Sequence, residues 1–368
     1  TSYVFKEGLN GSRLLNVDAS SVDFKIAAVK IVFQSVKDVA VAIDAIGILQ
    51  SDKPMEIKLS ESDVVKSTMV ASKLTGGVNS QYPEMGPLIS PDGNTLYFSR
   101  YRDPENVGGK DDDEDIWYAE WDSNKNAWGE AKNIGAPLNN KFPNFINSIS
   151  PDGNTILLGN EYSIDGSMRQ GVSISRKTPT GWSFPQPIKI NDDFNKSEFV
   201  AYYLSNSQKY LLMAQEIKKN TYGGLDIYVS TMNADSTWSK PINLGPKVNT
   251  KGTETAPFLA ADDRTLYYTS DGLTGYGGSD VYMTRRLDDT WTNWSEPENL
   301  GPKVNTSNNE SFFTTSASGN RVYFTSESET PGDFDLYSLA LHKTLRPTPV
   351  VLVKGKVINS KTKEPVSG

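Results

Sequence analysis

The chain has 368 residues, of which 37% are hydrophobic and 10% aromatic, with a formal net charge of −8 and an isoelectric point near 5.0. This length allows one large domain with small appendages, and the acidic balance argues against a nucleic-acid backbone or an anionic membrane surface as the main partner. There is no cysteine, one histidine and no apolar run long enough to cross a bilayer. These counts exclude disulfide scaffolds, Ser-His-Asp triads, multi-histidine zinc sites and transmembrane helices.

Residues 1–67 follow no repeat. Two runs rich in β-branched and small apolar residues, 29–33 and 43–49, predict strands. We interpret 1–67 as a partial, discoidin-like β-sandwich. The chain begins without Met and without a charged-then-apolar signal segment, so we expect a processed or truncated product.

From residue 68 onward, one sequence rule returns five times at intervals of 54 to 60 residues. Each copy contains a loop asparagine, an apolar strand, a tight turn, a second strand and an Asp-aliphatic-aromatic strand. The loop asparagines are Asn79, Asn139, Asn195, Asn249 and Asn305. A period this long indicates a stacked or circular array, and short strands separated by Gly, Pro, Asn and Asp are typical of propeller blades. We therefore predict an all-β fold with a five-bladed β-propeller over 68–341.

The later strands of each copy have their own markers. Pro-Asp-Gly turns at 91–93 and 151–153 predict tight hairpins. The third strands begin with Asp in four copies and have a degraded Gly171-Val172-Ser173 in the second copy. A Trp opens the fourth strand in four copies, at Trp128, Trp182, Trp238 and Trp294.

The fifth copy lacks this fourth strand after Leu341. The segment 69–79 has the sequence register of 241–249, so we predict that it completes the last blade and closes the ring. Closure pairs strand edges that would otherwise be open to aggregation. Residues 342–350 are interpreted as a linker, and 351–368 as the start of a second β-sandwich whose remainder we expect beyond residue 368.

An acidic or amide residue recurs just before each innermost strand. These residues are Glu84, Asn144, Glu198, Glu254 and Glu310. We expect them at the mouth of the central channel, where they would focus negative potential and could hold a cation, a peptide amine or a basic side chain. The alternative is that each one bonds backbone N–H groups and locks the ring.

Long Gly-rich loops between the second and third strands should lie on the same face as this acidic set. Their tyrosines are candidates for a recognition surface, with ordinary surface packing as the alternative: Tyr101, Tyr162, Tyr222 and Tyr276. The acidic run 111–115 could supply calcium ligands, although it lacks EF-hand spacing. We otherwise expect no metal or cofactor and no catalytic residues.

Three motifs carry a resemblance. Residues 90–98, 223–228 and 238–250 resemble the PD40, or WD40-like and TolB-type, propeller repeat. With 353–366 similar to the opening of a carboxypeptidase-regulatory-like sandwich, the chain resembles OmpA-family envelope proteins of Bacteroidota, including an architecture found in type IX secretion. The resemblance implies an outer-membrane-associated location, periplasmic or on the cell surface, and attachment to peptidoglycan through a domain beyond residue 368.

We therefore expect a non-enzymatic protein-interaction module. It would act as a scaffold or subunit of a secretion or assembly complex and bind outer-membrane proteins or a peptide segment, but not nucleic acid. The alternative from another class is a surface carbohydrate- or peptide-binding and processing protein that uses carboxylates at the channel mouth.

Overall fold

The computed structural model describes residues 69–350, except 112, 193–194, 198, 218–220 and 317–318. The two sandwich segments predicted at 1–67 and 351–368 lie outside the described residues. Within the described part no helix is long and apolar enough to cross a membrane.

The described chain is all-β and forms a five-bladed propeller, as the repeat predicts. Blade 1 contains strands β2 to β6: Glu84–Ile89, Thr95–Tyr101, Glu114–Asp122, Ala127–Trp128 and Lys132–Asn133. Blade 2 contains β7 to β11: Ile146–Ile149, Thr155–Tyr162, Met168–Thr178, Gly181–Trp182 and Gln186–Pro187. Blade 3 contains β12 to β15: Ala201–Leu204, Tyr210–Gln215, Asp226–Thr231 and Ile242–Asn243.

Blade 4 contains β16 to β19: Glu254–Leu259, Thr265–Ser270, Asp280–Arg285 and Glu298–Asn299. Blade 5 contains β20 to β22: Arg321–Glu327 lies between Glu310–Thr315 and Phe334–Ala340. The neighbouring strands in each blade are antiparallel. Short 3₁₀ turns occur at Gly109–Asp111 and Lys343–Leu345.

The ring closes through the N-terminal side, which confirms the prediction made from the missing fourth strand. Strand β1 (Ser72–Lys73) pairs with β22, and the Leu74 N–H donates to the Leu336 carbonyl at 2.9 Å. The side chain of Asn79 bonds both the N–H and the carbonyl of Leu336, at 2.7 and 2.9 Å. Because these partners are over 250 positions apart in the chain, the last blade is complete only in the folded ring.

The loop asparagines make this contact in four copies. Asn139, Asn249 and Asn305 bond the N–H and carbonyl of the aliphatic residue in the third strand of their blade, at 2.7 to 3.0 Å. Asn195 differs, because it bonds Ser197, Phe199 and Glu216 instead. The loop asparagine therefore completes the hydrogen bonding at the outer edge of blades 1, 3, 4 and 5, whereas Asn195 does not do so in blade 2.

The apolar core lies between neighbouring blades. Tyr203 of blade 3 packs on Phe258 of blade 4 with ring centroids 5.0 Å apart, and Tyr267 packs on Phe313 of blade 5 at 4.8 Å. Such aromatic pairs add to the apolar area that they remove from water. The core thus holds five sheets in fixed relative positions and leaves their loops to form the surface.

Candidate functional site

Loops at one end of the blades lie together, as predicted. The N–H groups of Asn144, Glu254 and Glu310 lie at the entry to the innermost strands. They donate to carbonyls at, or just before, the start of the third strands of the preceding blades, at 2.8 to 2.9 Å. We call this surface the loop face. The described members of both residue sets that the sequence nominated lie on or beneath it.

The nominated carboxylates are buried beneath this face. Glu84, Glu254 and Glu310 are 0% exposed. Glu310 accepts hydrogen bonds from the N–H and hydroxyl of Thr306, both at 2.7 Å, and from the Ser326 hydroxyl at 2.8 Å. Glu254 has the same arrangement with Thr250 and Ser270.

Blades 1 and 2 vary this arrangement. Glu84 accepts from Ser80 and from the buried Arg100, whose Nε lies 2.8 Å from Oε1. Asn144 is also 0% exposed; it accepts from the Asn140 N–H and donates to the Tyr162 hydroxyl. Glu198 lies outside the described residues. These contacts match the ring-locking alternative, and a binding role for the five residues stays a prediction.

Burial changes the acidity of these carboxyl groups. It raises the pKa of Glu84 and of Glu310 to about 7, against the opposing effect of hydrogen bonds from Ser80 and Thr306. Burial also raises the pKa of Glu254. Desolvation disfavours the charged carboxylate, so all three groups bind a proton more readily than an exposed carboxylate does.

The four nominated tyrosines do not form one exposed surface. Tyr222 is 49% exposed, whereas Tyr162 is buried and donates its hydroxyl to the Leu138 carbonyl at 2.8 Å. Tyr101 and Tyr276 are half-buried. The tyrosine recognition surface therefore stays a prediction, for which Tyr222 is the accessible member.

The acidic residues at the start of the third strands accept hydrogen bonds from neighbouring loops. In blade 1, Asp115 accepts from the Val107 N–H at 2.7 Å and from Asn133 at 2.6 Å. Among the described residues no cluster of three or more His, Cys, Asp or Glu has the arrangement for a metal ion. Calcium at 111–115 stays a prediction.

An open cleft of about 450 Å³ lies on the loop face where blade 2 meets the segment entering blade 3. Its apolar lining comes from Phe142, Pro143 and Met168, and its polar lining from Asn160, Arg169, Gln170, Lys196 and Ser197. Gln170 spans the junction by donating to the Ser197 carbonyl at 2.6 Å. The cleft thus combines an apolar patch with several hydrogen-bonding groups.

Two carboxylates stand beside this cleft, one from each blade. Glu161 of blade 2 accepts from Arg169 Nε, and Glu216 of blade 3 lies 2.7 Å from Lys196 Nζ. Both side chains are accessible, at 20% and 33%. Unlike the buried set, they can meet a ligand.

Sequence reasoning missed these carboxylates, although a signal was present. An acidic residue lies at the end of the second strand or directly after it in four copies. Glu161 is the last but one residue of its strand and Glu327 is the last, whereas Glu216 and Asp271 directly follow theirs. The position just before the innermost strand was nominated instead because an acidic or amide residue recurs there in all five copies. The two sets of carboxylates differ in solvent exposure, and the recurrence of a residue in the sequence does not reveal its exposure.

Blade 2 breaks the repeat where it borders the cleft. In place of the usual Asp, the third strand has Gly171; a Cβ there would lie 2.6 Å from Glu161 Cγ. The missing side chain therefore makes room for Glu161. Departures from a structural rule are expected where a site is built. The need for space at a site therefore accounts for both the degraded third-strand motif of blade 2 and the cleft beside it.

The class defined by this fold is the five-bladed β-propeller, and solved structures share it. A GH43_12 protein retrieved from a capybara gut metagenome is 14% identical, with 76% of this chain and 55% of that chain covered and a TM-score of 0.45. The match thus spans about half of that protein. A thermostable family-43 glycoside hydrolase is 13% identical, with 80% and 98% covered and a TM-score of 0.45.

A third match is an exo-beta-1,3-galactanase from Phanerochaete chrysosporium, solved with galactose. It is 14% identical, with 77% of this chain and 67% of that chain covered and a TM-score of 0.47. No protein-family model matches the sequence, and the search of curated proteins finds no match. At these identities the likeness concerns the fold alone.

This comparison corrects two predictions. The predictions of a non-enzymatic interaction module and of no catalytic activity are contradicted by this comparison, in which two of the similar structures are described as a family-43 glycoside hydrolase and an exo-beta-1,3-galactanase. The scarcity of histidine excludes a Ser-His-Asp triad but does not exclude catalysis by carboxylates.

Proposed function

We propose that this chain is a carbohydrate-processing enzyme that hydrolyses a glycosidic bond in the cleft between blades 2 and 3. The observation that carries the proposal is the break in the repeat at this cleft, where Gly171 makes room for Glu161 beside a second accessible carboxylate, Glu216. Clefts of about 300–1,000 Å³ with apolar walls and a few polar groups are typical ligand sites.

The lining suits a saccharide. Phe142, Pro143 and Met168 offer an apolar surface for the face of a sugar ring, and Asn160, Gln170 and Ser197 supply groups that can bond hydroxyls. A further aromatic residue, Phe199, is 76% exposed close to Ser197 in the chain. Such an exposed Phe is available to a ligand longer than one sugar.

Two carboxyl groups are sufficient for glycoside hydrolysis. One donates a proton to the glycosidic oxygen, while the other either takes a proton from the attacking water or attacks the anomeric carbon itself. Water supplies the hydroxyl of the new reducing end by either route. If the second carboxylate is a base, it takes the water proton, and exchange with solvent restores both groups; if it is a nucleophile, water hydrolyses the covalent intermediate and its proton returns to the acid. We assign these two roles to Glu161 and Glu216 as a pair.

The test is hydrolysis of a glycan panel by the protein and by its Glu161→Gln and Glu216→Gln variants. We expect each variant to lose about 100-fold or more in kcat/KM. Aryl glycosides with good leaving groups should rescue the variant that lacks the acid, and azide should rescue the one that lacks the base or nucleophile.

Glu120→Gln is the matched control, because Glu120 forms an exposed ion pair with Lys132 at 3.3 Å on the outer strands of blade 1. Its activity should equal that of the unmodified protein. The proposal fails if no glycan in the panel is hydrolysed, or if activity survives in both cleft variants.

A second part of the proposal concerns location. The Pro-Asp-Gly turns and the motif at 223–228 support a PD40-type repeat of the Bacteroidota envelope family. We propose an outer-membrane-associated location with attachment to peptidoglycan through another domain. Fractionation of cells that produce the full-length protein tests this, and recovery in the cytoplasm alone would contradict it.

A further inference from the structure

Positive charge borders the cleft in a chain that is acidic as a whole. Lys141, Arg169 and Lys196 are exposed there, whereas the formal net charge of the chain is −8. The ammonium group of Lys141 lies 5.4 Å from the centroid of the Phe142 ring, which lines the cleft. The described residues therefore place three cations around two carboxylates, Glu161 and Glu216.

The guanidinium group of Arg169 has N–H donors that no described residue accepts. Its Nε contacts Glu161, its side chain is 76% exposed, and within the described part of the chain its two Nη groups make no hydrogen bond. A guanidinium presents its donors in a planar fork that fits a carboxylate with two parallel bonds. The edge formed by the Nη groups is therefore available to an anionic ligand.

The neighbouring groups define what else the ligand must contain. Phe142, Pro143 and Met168 offer an apolar surface to the face of a ring, and Gln170 joins the two sides of the cleft by its bond to Ser197. A sugar ring that carries a carboxylate meets both requirements. A neutral sugar would leave the Arg169 fork facing solvent.

We infer that the ligand is an acidic saccharide, with the carboxylate of a uronic acid bound by the Nη groups of Arg169. Lys141 and Lys196 add favourable charge on either side. This inference rests on the proposed function, since it names the substrate class of the same cleft. Arg169 is then a specificity-determining residue, and Glu161 positions its fork.

The test compares binding of oligogalacturonate with binding of its methyl ester by calorimetry at low salt. The two ligands share ring and linkage and differ in charge, so the carboxylate is isolated. We expect the acid to bind at least about tenfold more tightly, and this preference to weaken as salt screens the charges.

Arg169→Gln should remove about tenfold of the affinity for the acid and change the affinity for the methyl ester much less. Arg176→Gln is the matched control, because Arg176 is an exposed arginine on the same strand, Met168–Thr178, and does not line the cleft. Lys196→Gln provides a second, independent change, and unchanged thermal unfolding shows that the variants are folded.

The outcomes separate the two proposals. Equal binding of the acid and its ester, or unchanged affinity for the acid in Arg169→Gln, overturns the inference while hydrolysis of neutral glycans can stand. Preference for a sulfated oligosaccharide over the uronate also overturns the carboxylate assignment. If no saccharide is bound or hydrolysed, the proposed function fails as well.

Discussion

At the scale of single residues, Glu310 shows how location decides the chemistry of a carboxyl group. It is 0% exposed, receives three hydrogen bonds and has a pKa raised to about 7 by burial. Its usual value is near 4.5. The folded chain therefore binds a proton more readily than the unfolded chain between these two pKa values.

The first prediction is a pH dependence with a definite sign. The contribution of Glu310 to stability is fully present below about pH 4.5 and is lost as pH rises through about 7. Glutamine cannot ionise and resembles the protonated glutamate. We therefore expect Glu310→Gln to lower the melting temperature at pH 5. At pH 8, where Glu310 of the unmodified protein has lost its proton, the lowering should be several degrees smaller.

Calorimetric melting of both proteins at the two pH values measures this difference. Glu329→Gln serves as the control, because Glu329 is an exposed residue of the same blade. Parallel curves for the protein and Glu310→Gln would show that the carboxyl group is ionised at both pH values, contrary to the prediction.

At the scale of the elements, the loop asparagine ends the outer edge of each regular blade. Asn249 bonds the N–H and carbonyl of Ile227 at 2.7 and 2.9 Å, and the asparagine and its partner are both buried. The asparagine side chain thus makes the two hydrogen bonds that a residue of a further strand would otherwise make. This use explains why an asparagine recurs when most loop residues vary.

The second prediction follows from that pairing. Asn249→Ala leaves two buried backbone groups without partners, which we expect to cost about 2–4 kcal/mol of unfolding free energy. Asn195→Ala is the comparison, since Asn195 is half-exposed and water can replace its contacts. Denaturant unfolding should show a cost below about 1 kcal/mol for Asn195→Ala; equal costs would contradict the argument.

At the scale of the whole molecule, one short strand holds the two ends of the ring together. Strand β1 supplies the outer strand of blade 5, and Lys73 forms an ion pair with Asp335 at 2.6 Å. Closure leaves each blade with two neighbours. The ring therefore depends on a contact between segments far apart in sequence.

The third prediction tests this closure. Leu74→Pro removes the N–H that donates to Leu336 at 2.9 Å and introduces a ring into a paired edge. We expect a loss of about 3 kcal/mol or more in stability and faster hydrogen exchange in β22. Val70→Pro, at a residue 74% exposed, should have little effect; equal effects would show that β1 does not close the ring.

Local sequence signals determined the five-bladed ring and its closure, because turns, alternating strands and the loop asparagines recur with a fixed period. The tertiary structure alone decided which acidic residues are accessible. Glu84, Glu254 and Glu310 recur as regularly as the blades do, yet neighbouring loops bury them. Glu161 and Glu216 border a cleft because residues from two blades meet there, and exposure depends on such distant contacts, which the repeat does not encode.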